Sequence, residues 1–175
     1  MSIEKLSVQA INRILEETSK SERRWRDNIS QCFKDFTAIK NIEDISFRGA
    51  ELNYSIFRGI AFSRVRFEDA RLFFCDFSEC SFDACDFSDV HGAFANFTNA
   101  KFKSCLIDAP LQFANFESGL FSRCSFGNSN LLMANFKNAK FEASEGLDVR
   151  FLDQCNTEGT DLSGFRIDRS NYPSL

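Results

Sequence analysis

Apart from phenylalanine, large aromatic side chains are nearly missing from this 175-residue chain, which has one Trp and two Tyr beside 22 Phe. Proline occurs twice and histidine once. A lone His91 leaves no second imidazole for a metal centre, and no nucleophile stands beside a plausible base in a recognisable motif. No glycine-rich phosphate loop is present either. These gaps argue against catalysis, and no metal or other cofactor is expected. No apolar run approaches the roughly 20 residues that span a bilayer. Glu4, Lys5, Arg13, Glu16 and Glu17 break up the beginning of the chain, so the apolar core of a secretory signal is absent. The expectation is a cytoplasmic protein without a membrane span, unless a signal-independent machine exports it. A net charge of −4 and a pI near 5.1 argue against direct binding of nucleic-acid phosphates.

What the chain has instead is a five-residue rhythm. Residues 45 to 64 read ISFRG AELNY SIFRG IAFSR, and 75 to 89 read CDFSE CSFDA CDFSD. Numbered by central residue, the words fall at 47, 52, 57 and onward in fives to 107, then from 111 to 141, with one residue missing between Ile107 and Leu111. Of these 20 centres, 14 are Phe and 4 are Leu, with Ile107 and Gly92 the exceptions. Two residues before most centres sits a small side chain, as at Ala50, Ser55, Ala70, Cys75, Cys80, Ala95 and Ala114. An always-large slot beside an always-small one is what two inward positions of a narrow tube require.

The words ANFTN, AKFKS, ANFES, ANFKN and AKFEA resemble the pentapeptide-repeat family, whose members carry tandem A(D/N)LXX or A(D/N)FXX units. The resemblance covers about residues 45–168 and implies an all-β repeat solenoid, a right-handed quadrilateral parallel β-helix of five to six coils. Each word would form one side. Sorting the centres by fours gives Phe47, Phe67, Phe87, Ile107 and Phe126 on the first side and Leu52, Leu72, Gly92, Leu111 and Leu131 on the second. Phe57, Phe77, Phe97, Phe116 and Phe136 fall on the third, and Phe62, Phe82, Phe102, Phe121 and Phe141 on the fourth. All Leu centres land on one side, which a period of five alone would not produce. Cys75, Cys80, Cys85, Cys105 and Cys124 occupy the small inward slot, so they read as reduced packing residues.

Residues 1–44 form a different segment, with 8 acids and 8 bases. Apolar steps of three and four from Ile3 to Leu15 and from Trp25 to Ile39 predict amphipathic helices, capped by Ser2 and Ser21. The division is thus 1–44 helical, 45–168 repeat, and 169–175 tail. Gly92 and the shortened word at Pro110 are read in two ways, as places where the tube bends or bulges or as irregularities that it tolerates.

Outward positions must carry function. Tyr54, Phe74, Phe94, Phe113 and Met133, with Phe73 and Leu132 beside them, form an apolar outer column on the Leu side, where other sides place polar or small residues. Such a strip is rarely left bare. Either Trp25, Ile29, Phe33 and Phe36 dock the N-terminal helices onto it, or it receives a protein partner or a second copy. Asp76, Glu79, Asp83, Asp86 and Asp89 make a separate acidic group. Among pentapeptide-repeat proteins, the Qnr and MfpA type, a distant likeness, imitates DNA and binds DNA gyrase. That implication is the alternative to a general protein-binding surface. A secreted bacterial effector, or the partner of one, is a third reading.

Overall fold

The fold is seen in a computed structural model that describes residues 4–5, 9–10, 13, 34–127, 129–146 and 154–166. Short parallel strands line the tube in three separate sheets: β1 (Glu4–Lys5), β2 (Lys34–Asp35), β3 (Asn41–Glu43), β4 (Ala61–Ser63), β5 (Ser81–Asp83), β6 (Lys101–Lys103), β7 (Leu120–Ser122), β8 (Lys140–Glu142), β9 (Ser144–Glu145) and β10 (Phe165–Arg166). Strands β3 to β8 form one six-stranded sheet on the fourth side, and its register stacks Ile42, Phe62, Phe82, Phe102, Phe121 and Phe141. Isolated parallel bridges such as Ser46↔Arg66, Arg71↔His91 and Asp76↔Asn96 tie the remaining sides. The result is a four-sided parallel β-solenoid of about six turns.

The repeated word builds its corner from local chemistry. On three of the sides the backbone N–H three residues after a centre donates to the carbonyl of that centre, as in Ala50 to Phe47, 2.9 Å, and Ala139 to Phe136, 2.8 Å. The residue between, two after the centre, has positive φ, for example Gly49 at 67° and Asn99 at 59°. That is the pattern of a type II turn. The residue before the centre is often Asp or Asn because its side chain accepts the N–H two residues on: Ser88 N–H reaches Asp86 at 2.8 Å and Lys137 N–H reaches Asn135 at 3.1 Å.

Inside, the centres stack as flat rings. Phe57 lies 4.8 Å from Phe77, Phe77 lies 5.2 Å from Phe97, Phe97 lies 5.0 Å from Phe116, and Phe116 lies 4.9 Å from Phe136. Rings on neighbouring sides meet edge to face, as in Phe82 and Phe87 at 5.1 Å. The quadrupole of each ring is satisfied in both directions. Phe165 closes the far end by meeting Phe141 edge-on at 5.2 Å.

The boundary between helical segment and tube is corrected. The tube starts before residue 45: Phe36 is fully buried and stacks on Phe57 at 4.5 Å, and Ile42 lies beneath Phe62. A helix through residue 39 is excluded, because Lys34–Asp35 is a strand and a turn follows it. The six-residue gap from Phe36 to Ile42 breaks the pentad, and Phe33, Phe36 and Ile39 happen to repeat at the helical interval. Below β2, β1 adds one more parallel strand, while residues 9, 10 and 13 are helical and Ala10 packs against the core.

At Gly92 the reading as a tolerated irregularity holds, and the bend does not. No bend reaches the outer face, where the rings of Phe94 and Phe113 stay 4.8 Å apart and 2° from parallel. A Cβ on Gly92 would meet Cδ2 of Leu111 at 2.6 Å, so Leu111 leans into the vacated slot. Ser129, 3% exposed, repairs the shortened word by accepting the Ala109 N–H at 3.2 Å and donating to the Ile107 carbonyl.

Phe97→Ala should lower stability by about 3–5 kcal/mol in urea unfolding, because a rigid stack closes poorly over the cavity. Gly92→Leu, although it restores the repeat, should destabilise by about 1–3 kcal/mol through overpacking against Leu111.

Candidate binding face

The outer column on the Leu side is a continuous ladder. Rings of Tyr54 and Phe74 are 5.1 Å apart, Phe74 and Phe94 4.9 Å, and Phe94 and Phe113 4.8 Å, each pair within 4° of parallel. Met133 continues the series. These side chains are 42% (Tyr54), 47% (Phe74), 46% (Phe94), 45% (Phe113) and 58% (Met133) exposed. Phe73 and Leu132 flank the ladder half-buried, and Phe73 stacks on His91 at 6.3 Å.

The backbone under this ladder makes the residue choice costly. Each rung occupies the corner position, with φ of 62° (Tyr54), 58° (Phe74), 61° (Phe94), 60° (Phe113) and 59° (Met133). Bulky residues are outliers in that region, which disfavours ordinary side chains by about 1–2 kcal/mol. The other sides use mostly small or short polar residues at equivalent corners, such as Gly49, Gly59, Asp69, Asn99, Ser104, Ser118 and Asn138, with Arg64, Glu79 and Arg123 as longer polar ones and no aromatic. Stacking between rungs offsets part of the strain, at about 0.5–1.5 kcal/mol per pair.

Of the residues expected to cover this face, Phe36 is in the core and does not face the ladder. Trp25, Ile29 and Phe33 lie outside the described residues.

The acidic group is dispersed among structural duties. Arg58 donates to Asp76 at 2.7 Å, and Asp76 accepts the Ser78 N–H at 3.0 Å. Burial would raise the Asp76 carboxyl, but its hydrogen bonds from Ser78 and Arg58 outweigh that and hold it below the ordinary value. Lys103 pairs with Asp83 at 2.8 Å, and Asp86 accepts Ser88 in a turn. Glu79 and Asp89 stand at corners with positive φ. Asp76 also begins a polar ladder: Asn96 donates to it at 3.1 Å, and Asn135 donates to Asn115 at 2.9 Å.

All described cysteines are unbridged. Cys75 and Cys80 donate to the carbonyls of Leu52 and Phe57 at 2.9 and 3.1 Å. Burial pushes the Cys80 thiol up to about 12 and the Cys155 thiol up to about 11, so both stay neutral and unreactive at neutral pH. Among the described residues no group of three His, Cys, Asp or Glu is placed to hold a metal ion, and no helix is long and apolar enough to cross a membrane. A surface hollow of about 460 Å³ lies at the β9–β10 end against Ser144, Glu145, Ser163 and Arg166.

A tube of stacked five-residue words with one aromatic outer edge defines a repeat-solenoid protein. Residues 70–106 and 104–142 match the family described as pentapeptide repeats, in 8 copies, so the middle of the tube is built of pentapeptide repeats. No curated protein matches it in sequence. Among solved structures it is similar to HetL, a pentapeptide repeat protein involved in heterocyst differentiation regulation in the cyanobacterium Nostoc sp. strain PCC 7120, at 14% identity over 93% of this chain and 97% of that one, with a TM-score of 0.44. Rfr23 from the cyanobacterium Cyanothece 51142 aligns at 16% identity over 86% and 95%, with a TM-score of 0.34. QnrB1, a plasmid-mediated fluoroquinolone resistance protein, aligns in a trypsin-treated form at 16% identity over 75% and 81%, with a TM-score of 0.31.

Sequence reasoning found the outer column but missed its strained corners and the repair role of Ser129. A signal for the corners was present: Gly49, Gly59, Asn99 and Asn138 recur two residues after centres, and these are residue types that tolerate positive φ.

A carboxyl held below its ordinary 3.8 stabilises the fold above that pH and loses the contribution as pH falls through its lowered value. Asp76→Asn keeps the turn acceptor but removes the charge. Thermal melts from pH 6 to 2 should therefore show a smaller acid loss in the variant, with a cost at neutral pH of about 1 kcal/mol.

Proposed function

We propose that this protein is a non-enzymatic binding scaffold that holds a rigid aromatic edge toward a protein partner. One observation carries the reading: bulky aromatic residues persist at corner positions whose backbone favours Gly or Asn, and they remain exposed there. Core packing does not account for them, since the inward slots are already filled by Leu52, Leu72, Leu111 and Leu131. A solvent-exposed row of this kind has the composition of an interface anchor, where aromatic side chains contribute much of the binding energy. The scaffold itself is stiff, because every coil is hydrogen-bonded to the next and its rings are stacked. Little ordering entropy is then lost on docking. A reducing, cytoplasmic setting is part of this proposal, and the unbridged described cysteines fit it.

Imitation of DNA toward gyrase is the weaker reading. Asp76 is neutralised by Arg58 and Asp83 by Lys103, and the column above Asp76 is amide rather than acid. Purified gyrase should therefore keep its supercoiling activity at micromolar concentrations of this protein. Inhibition, or protection from quinolone, would reverse the ranking.

The leading reading is tested with Phe74→Asn, Phe94→Asn and Phe113→Asn combined. Asn tolerates the corner backbone, so the triple variant should stay folded and melt cooperatively, while partners captured by the wild type are lost at least tenfold. Unchanged capture by a folded variant would remove the aromatic edge from the binding surface.

A further inference from the structure

We infer that the occupant of the aromatic edge is the same edge of a second copy of this chain, pairing two tubes side by side. The inference rests on the reading of that edge as a docking face.

Repeat spacing is the first argument. Rung separations of 5.1, 4.9 and 4.8 Å make the ladder a comb whose ridges follow the strand spacing. The ring faces are spent on one another, so only ring edges point outward. A partner must then match the comb over its whole length. Successive turns of an α-helix rise by about 5.4 Å and drift out of step by roughly 2 Å over four rungs. A second copy carries the same interval by construction, whichever way it runs.

Charge is the second argument. A face that meets its own copy brings like charges together unless its borders are neutral or internally paired. One border consists of Asn53, Phe73, Ala93, Gln112 and Leu132, and the other of Ile56, Asp76, Asn96, Asn115 and Asn135, in which Asp76 is the one charge. Charged residues near the lower rungs are already matched within the chain: Arg58 with Asp76 at 2.7 Å and Arg71 with Glu51 at 3.2 Å. At the upper end Lys137 is paired with Glu158 at 2.9 Å.

Area is the third. Five side chains of roughly 200 Å² each, near half exposed, offer about 450 Å² of ladder surface. Both borders enlarge it toward the roughly 800 Å² per partner of a standard interface.

Sedimentation equilibrium of the full chain between about 1 and 100 μM tests this. The expected result is a species of twice the 20.0 kDa chain mass. Phe94→Asn with Phe113→Asn should weaken the association by about 30-fold or more, with a cooperative melt in the same samples showing that the variant is folded. Phe94→Asn alone, the milder change, should weaken it by about fivefold or more. A wild type that stays monomeric at 100 μM overturns the pairing, as does a dimer that survives both variants. The two readings separate cleanly. A monomer whose ladder variants still lose a captured partner sinks only the self-pairing, and a monomer whose variants lose nothing sinks the docking face as well.

Discussion

Everything in this molecule answers to the vertical hydrogen bonds between coils. Each coil lies on the one below in parallel register, at the strand spacing near 4.8 Å, so a residue is stacked on its counterpart one coil away. Whatever is placed at one position is therefore judged by how well it stacks on itself or on a close relative. Phenylalanine does so through offset rings, as at Phe57 and Phe77. Asparagine does so through amide pairs, as at Asn115 and Asn135. Buried thiols fit because they are small and can donate to a carbonyl of the neighbouring coil, as Cys75 does to Leu52.

That constraint explains why so much of the architecture could be read from the residues. A stack writes itself into sequence as a period, and the segregation of Leu52, Leu72, Leu111 and Leu131 onto one side already gave four words per coil. Legibility failed where stacking is kept but the period is not. Phe36 and Ile42 continue two ladders downward across a six-residue gap, while the steps of three from Phe33 to Phe36 to Ile39 imitate a helix instead. Ser129 sits two residues before the centre Leu131, in the small inward slot, yet it serves the Ala109 N–H and the Ile107 carbonyl left by the missing residue. A role of that kind depends on a neighbour 20 residues away and leaves no local trace.

The outer face was legible in part. Alternation and period were enough to put Tyr54, Phe74, Phe94, Phe113 and Met133 in one exterior column. Backbone sign was not, because a period does not say which dihedral a position adopts. With the corners known, the column changes meaning: it is a set of large side chains kept where small ones fit better. The acidic residues moved the other way. As sequence they formed a cluster, but in the fold Asp76 and Asp86 are turn acceptors and Asp83 is half of an ion pair.

The shortened word between Ile107 and Leu111 separates the inside of the tube from its outside. One residue is deleted, the interior adjusts through Gly92, Leu111 and Ser129, and the rungs Phe94 and Phe113 keep their interval to within the spread of the other pairs. The exterior is thus graduated like a ruler whose marks do not depend on the contour length of chain beneath them. Adding or removing a whole coil would lengthen or shorten the marked edge by one graduation without shifting the phase of the others. Contact length along this edge is accordingly quantised in coils, and a lineage could tune grip strength by counting turns rather than by redesigning a surface.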